Sequence, residues 1–235
     1  MAGALTTGDH NEVLLRIDDA RKHVPTKDKP RAELNLATLG LELVPSELFV
    51  LKGLRTLHMR GNLLEYLPAS INLLESLEIL NVSENALRSL PETIGDFAHL
   101  KKLFLQRNKL KELPDTIGSL SLTLDELDVG TNRLEELPET LGDLELLERF
   151  DARDNRLEEL PDSFTAKNLP ALRIVNFEGN PAIERLPWSI KCIQDVYPVM
   201  MSADRRRQLV KRSLDIRRRV NERLVMCDLG DPAET

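Results

Sequence analysis

Aromatic side chains are scarce: they make up 4% of the 235 residues. A chain this long can bury a sizeable core, but aliphatic residues must fill it. Cysteine occurs only at Cys192 and Cys227. Two lone cysteines make neither a metal cage nor a disulfide framework, and their scarcity points to a reducing, intracellular compartment. The four histidines, His10, His23, His58 and His99, are scattered without ligand spacing. No window holds the ~18 apolar residues of a membrane span. The first ten residues lack a basic region followed by an apolar one, so no secretory leader is expected. Asn81-Val82-Ser83 fits a glycosylation sequon, which without a leader reads as a chance match. There is no Gly-x-x-x-x-Gly-Lys loop and no Gly-x-Ser-x-Gly elbow. Acidic pairs such as Glu135-Glu136 and Glu158-Glu159 recur at polar repeat positions, as a solvated surface rather than an acid–base pair. The expectation is a non-enzyme that needs no cofactor and no metal.

Leucine is abundant, with 45 residues in a chain of net charge −7. It follows a rhythm. Pro comes after Leu or Val at Pro45, Pro68, Pro91, Pro114, Pro138, Pro161 and Pro187, at spacings of 23, 23, 23, 24, 23 and 26. Asn keeps the same beat at Asn62, Asn85, Asn108, Asn132, Asn155 and Asn180. Between them runs Leu-x-x-Leu-x-Leu-x-x-Asn-x-Leu-x-x-Leu-Pro, as in Leu100, Leu103, Leu105, Asn108, Leu110, Leu113, Pro114. A leucine-rich helix would repeat every 3.6 residues, not every 23. The Leu-x-Leu step predicts a short strand with Leu103 and Leu105 inward and Phe104 outward. The Asn follows the strand, where its buried amide must find backbone partners. Pro opens the outer side with a helical turn. Each copy buries its leucines only against its neighbours. The rhythm slips at Leu39, where Asn is expected, near Ser119–Thr123, at Thr165–Lys167 and within Asn180–Leu186.

This pattern resembles the leucine-rich-repeat family over residues 31–190. The resemblance implies an α/β solenoid, a horseshoe of seven repeats with a parallel concave sheet. Leu-Pro-x-x-Ile-Gly and Leu-Pro-Glu-Thr-Leu-Gly on the outer side are most similar to the intracellular Ras-group repeat proteins, of the Ras-suppressor and Ras-scaffold types. That likeness implies small-GTPase or phosphatase signalling partners.

A solenoid needs both ends covered. Residues 1–30 are expected to be an N-terminal helical cap and linker. The helix spans 11–24, with Val13, Leu14, Ile17, Ala20 and Val24 on one stripe, and Pro25 stops it. Residues 191–235 are expected to hold a C-terminal cap and a basic amphipathic helix, with Trp188 over the last coil. Between 204 and 225 stand nine basic residues, Arg205, Arg206, Arg207, Lys211, Arg212, Arg217, Arg218, Arg219 and Arg223, against Asp204, Asp215 and Glu222. Two readings of this helix remain open: a cap with a solvated basic face, or a contact for acidic protein, RNA or anionic lipid.

The function read from the sequence is a cytoplasmic protein-interaction adaptor with its partner on the concave face. Three outward columns face it. The first runs Asn35, His58, Asn81, Phe104, Asp128, Asp151, Asn176. The second runs Ala37, Arg60, Ser83, Gln106, Gly130, Arg153, Glu178, and the third Thr38, Gly61, Glu84, Arg107, Thr131, Asp154, Gly179. Phe104 reads as an exposed aromatic among polar neighbours, the type of residue that dominates interface energy. The expected partner site is His58, Arg60, Lys102, Phe104, Gln106, Arg107, Asp128, Asp151, Arg153 and Asp154. The alternative is a structural subunit of a cytoskeletal, axonemal or ribonucleoprotein assembly, anchored partly by the basic helix. Nuclear or axonemal location stays open with it.

Overall fold

Short apolar alternation makes strands only where neighbouring strands supply hydrogen bonds, and here each copy supplies them to the next. The computed structural model describes residues 7–22 and 32–180. Seven strands form one parallel sheet in chain order: β1 (Ala32–Asn35), β2 (Leu54–His58), β3 (Ile79–Asn81), β4 (Lys102–Phe104), β5 (Glu126–Asp128), β6 (Arg149–Asp151) and β7 (Ile174–Asn176). Register is kept from copy to copy: Asn81 opposes Phe104, Phe104 opposes Asp128, and Asp128 opposes Asp151. Leu103 and Leu105 are fully buried, as the alternation predicts.

The return side is built from 3-10 helices: η1 (Ser46–Val50), η2 (Ala69–Leu73), η3 (Glu92–Asp96), η4 (Asp115–Leu120) and η5 (Glu139–Asp143). Each follows one of the repeat prolines, whose φ lies between −62° and −71°. Five or six residues leave room for the tighter turn and not for a longer α-helix. Each sends an apolar residue inward, Leu48, Ile71, Ile94, Ile117 and Leu141, and η4 adds Leu120. The Thr93 hydroxyl donates to the Ala69 carbonyl, Thr116 to Glu92 and Thr140 to Asp115, each at 2.7 Å. Glycine lets the turns approach this closely. A Cβ on Gly95 would lie 2.2 Å from the Thr116 carbonyl oxygen. After Pro161 the chain forms plain turns, and Glu139 accepts from the backbone N–H groups of Asp162 and Ser163 there.

The Asn column binds the coils together. The Asn108 Oδ1 accepts from Leu87 N–H at 3.0 Å, while its Nδ2 donates to Val82 O at 3.0 Å and Leu105 O at 2.9 Å. One carbonyl is in its own copy, and the other two groups are in the copy before. Asn62, Asn85, Asn132, Asn155 and Asn180 repeat this pattern. Asn62, Asn108, Asn132 and Asn155 are buried, whereas Asn85 is half-buried. The residue before each ladder Asn has φ between +51° and +78°, and Thr38 has the same geometry at 57°. The third column is therefore a row of left-handed turn residues and not a further row of the sheet.

At the start, α1 (Thr7–Lys22) begins four residues before the expected position. Its Val13 and Ile17 are buried in the same core as Leu34, Leu36 and Leu48, with Ala20 packed against it. Arg16 donates to the Asn35 carbonyl at 2.8 Å and pairs with Glu12. At the other end of the described core, Phe150, Phe164 and Phe177 pack with centroids 5.6–5.7 Å apart. These rings fill the last described coil, where the return side has no 3-10 helix. Val24, Pro25, the linker up to residue 30, Trp188, the changes within Asn180–Leu186 and the basic run of 204–225 lie outside the described residues.

Two substitutions test this frame. Asn108→Leu strands the Leu87 N–H and leaves the Val82 and Leu105 carbonyls only their second donors, Asn85 and Asn132, and should cost about 1–3 kcal/mol; an unshifted denaturant midpoint would refute the ladder. Gly95→Ala should cost about 3 kcal/mol, because its obstacle is backbone. Gly53→Ala, which meets nothing within 4 Å, should melt within a degree or two of the wild type.

Candidate functional site

The solvent-side face of the sheet is lined by alternate strand residues, and most of their polar groups already have partners. In the first column, Asn35, Asn81, Asp128, Asp151 and Asn176 each turn a side-chain oxygen onto the backbone N–H two residues on, at 2.9–3.0 Å. This Asx turn bends the chain off the strand. His58 and Phe104 interrupt it. Five of the seven members serve the backbone as well as the surface, and Asn176, expected to face outward, is buried.

The expected site residues fall into three groups. Arg60, expected in the partner site, grips Glu84 with Nε and Nη2, both at 3.0 Å, and Arg107 reaches the same carboxylate at 3.2 Å. Hydrogen bonding by Arg60 holds the Glu84 carboxyl below its ordinary value. Lys102 pairs with Glu126 at 2.8 Å, and His58 lies 3.4 Å from Glu33. These partners stand one copy away, where the register sets side chains of opposite sign together. Being largely exposed, such pairs contribute little to stability.

Phe104 faces out but is half-buried, not exposed. Flanking strands ~4.8 Å away cover its sides. Gln106 is also half-buried, and among the described residues its Oε1 is the one buried side-chain polar atom without a partner. Asp154 sits at a left-handed turn with φ 51°, its Oδ1 against Gly179.

The remaining three converge. A Cβ on Gly130 would lie 3.1 Å from Arg153 Cγ, 3.2 Å from Asp128 Oδ1 and 3.3 Å from Asp151 Oδ1. Asp151 and Arg153 pair at 3.6 Å. Burial pushes Asp128 up to about 6; the Gly130 N–H opposes the rise, and the Asp151 charge adds to it.

Sequence reasoning named only Lys102 from the column that begins the face. In register it runs Glu33, Thr56, Ile79, Lys102, Glu126, Arg149 and Ile174. Extending the two-residue alternation one step back along each strand finds it. Ile79 adds apolar surface beside Phe104. Glu126 bridges Lys102 and, at 3.5 Å, Arg149. At the strand entry Glu78 is 7% exposed and lies between Arg55 and Lys101. Hydrogen bonds, first from Lys101 and then from Arg55, hold its carboxyl below the ordinary value. Among the described residues no cluster of His, Cys, Asp and Glu could hold a metal, and no helix is long and apolar enough to cross a membrane.

The parallel one-strand-per-copy sheet and its Asn ladder define a leucine-rich-repeat solenoid. The leucine-rich-repeat family model matches residues 52–110. The chain is similar to the leucine-rich effector YopM of Yersinia pestis, with 28% identity and a TM-score of 0.53, over 77% of this chain and 50% of that one. It is similar in fold to the leucine-rich-repeat domain of the type III effector XopL, with 22% identity and a TM-score of 0.63, over 77% and 62%. A leucine-rich-repeat protein of Leptospira interrogans is 24% identical at a TM-score of 0.50, over 72% and 52%. The chain thus spans about half the length of the Yersinia and Leptospira proteins. No curated protein matches it. Residues 52–110 thus match leucine-rich repeats, a module that generally mediates protein–protein interaction.

Asp128 gives a pH test. Its carboxyl is raised on folding, so the neutral acid is favoured and ionisation costs stability. Stability should fall as pH rises from about 4 through 6, then level off. Asp128→Asn keeps the bond from Gly130 and should be more stable by roughly 1–2 kcal/mol at pH 7.5. The gain should vanish below pH 4; equal melting curves at both pH values would contradict it.

Proposed function

We propose that this chain is a non-enzymatic intracellular adaptor that binds a protein partner on the open face of its sheet, across β3–β6. The observation that carries the reading is Phe104. It is the one Phe, Tyr or Trp among the outward strand residues and stands beside Ile79, with ion pairs on both sides. An apolar centre with a polar rim is the usual anatomy of an interaction hot spot. The site is His58, Arg60, Lys102, Phe104, Gln106, Arg107, Asp128, Asp151, Arg153 and Asp154, extended by Ile79, Glu126 and Arg149. Domain limits of 1–30, 31–190 and 191–235 go with it. So does an N-terminal cap, which the burial of Val13 and Ile17 supports. The outer-side Leu-Pro-x-x-Ile-Gly motif supports a Ras-group affinity and, through it, a small-GTPase or phosphatase setting in the cytoplasm. The rival is an assembly subunit held by the basic run at 205–223, favoured by its nine cations.

The two readings separate by mutation. Phe104→Ala should weaken partner binding about tenfold, or 1.4 kcal/mol, with only a small drop in melting temperature, because the ring is half-buried and the core leucines are untouched. Calorimetric titration with the captured partner checks this. If Phe104→Ala is silent while replacing Arg217, Arg218 and Arg219 with Gln abolishes capture, the assembly reading takes its place.

A further inference from the structure

Of the three acids on β5 and β6, two are paired. Glu126 holds Lys102 and Arg149, and Asp151 holds Arg153. Asp128 makes no ion pair among the described residues. Its Oδ1 accepts only the Gly130 N–H, at 2.9 Å. Yet Asp128 and Asp151 both reach over Gly130, where Arg153 is the nearest cation. Beside Gly130 two carboxylates share one guanidinium, so Asp128 lacks an ion-pair partner of its own, while Lys102 and Arg149 are held by Glu126.

The neighbours of this charge are specific. Phe104 opposes Asp128 across β4 and β5. The Arg107 N–H donates to the Gly130 carbonyl, so the same register sets Gln106 beside Gly130. The Gln106 Oε1 is shielded from solvent without a donor. A turn of its amide toward an incoming N–H gains a hydrogen bond and breaks none. An aromatic face, a carboxylate and an amide acceptor together suit a flat cation with several N–H groups. A guanidinium can lie on the ring and donate along its edges, whereas an ammonium is a point charge.

We infer that the partner inserts an arginine side chain beside Asp128, with Phe104 on one side and Asp151–Arg153 on the other. The inference rests on the open-face reading above and deepens it. The partner is then a protein presenting an exposed arginine on an extended segment.

The test uses the full chain, labelled with 15N, and three blocked peptides: Gly-Gly-Arg-Gly-Gly and its lysine and citrulline forms. The arginine peptide should move the Gly130 amide signal. The citrulline peptide, of the same shape without the charge, should bind at least about tenfold more weakly, and lysine should fall between. Asp128→Asn should weaken the arginine peptide about tenfold, and Phe104→Leu about threefold. Equal binding of citrulline, an unchanged affinity in Asp128→Asn, or signals that move only elsewhere would overturn the inference. Partner capture separates the two readings. A partner weakened by Phe104→Ala but indifferent to Asp128→Asn overturns the arginine and keeps the face. A partner indifferent to Phe104→Ala overturns both.

Discussion

One primary amide per copy joins the coils. Where the chain leaves each strand, one N–H of the preceding copy and two carbonyls are turned inward, beyond the reach of the sheet. Asn has two donors and one acceptor on a single short stem, and it meets all three groups. Leucine would fill the space but bond to none of them. The chain accepts a backbone cost to keep this geometry. The residue before each Asn is left-handed, yet Glu84, Arg107, Thr131 and Asp154 stand there as well as glycine. Each such residue costs roughly 1–2 kcal/mol. That four persist, one of them β-branched, shows that the amide bonds and the stacked leucines outrank local backbone preference.

What the sequence made readable is what repeats. Leu103, Leu105, Asn108 and Pro114 recur at fixed offsets, so strand, ladder and outer turn could be placed from spacing alone. Features that depend on a single local geometry were harder to read. The left-handed column has no common side chain: Thr38, Gly61, Glu84 and Arg107 share only φ. Nothing in their chemistry announces it, and spacing alone puts them in a third row of the face. The Asx turns were hidden in plain view, since Asn35, Asn81 and Asp128 look like surface choices until their oxygens are seen on backbone N–H groups. The three packed phenylalanines lie 14 and 13 residues apart, Phe150 to Phe164 to Phe177, and join only through the coil.

The self-pairing of charges was legible in principle. Partners across copies sit one repeat apart: Lys52 with Glu75, Glu65 with Arg88, and Glu78 with both Arg55 and Lys101 are all 23 residues apart, and Arg60 with Glu84 is 24 apart. In a stacked repeat this offset plays the part that four residues play in a helix. Scanning for opposite charges at the repeat length would have removed Arg60 and Arg107 from the free cations. It would also have left Asp128 unmatched.

The same stacking bears on recognition. A face whose backbone is held by ladder bonds and packed leucines loses little freedom when a partner arrives, so more of the contact energy survives as affinity. It also limits what one residue can add. A fully exposed aromatic gains roughly 1.5–3 kcal/mol on burial, but Phe104 has gained part of that on folding, because strands flank it on both sides. In the proposed complex, its remaining share would be worth about a tenfold change in affinity and no more. Discrimination among partners must then come from groups that the fold has not matched. On the described sheet that condition is met beside Gly130, where the second carboxylate has no cation of its own.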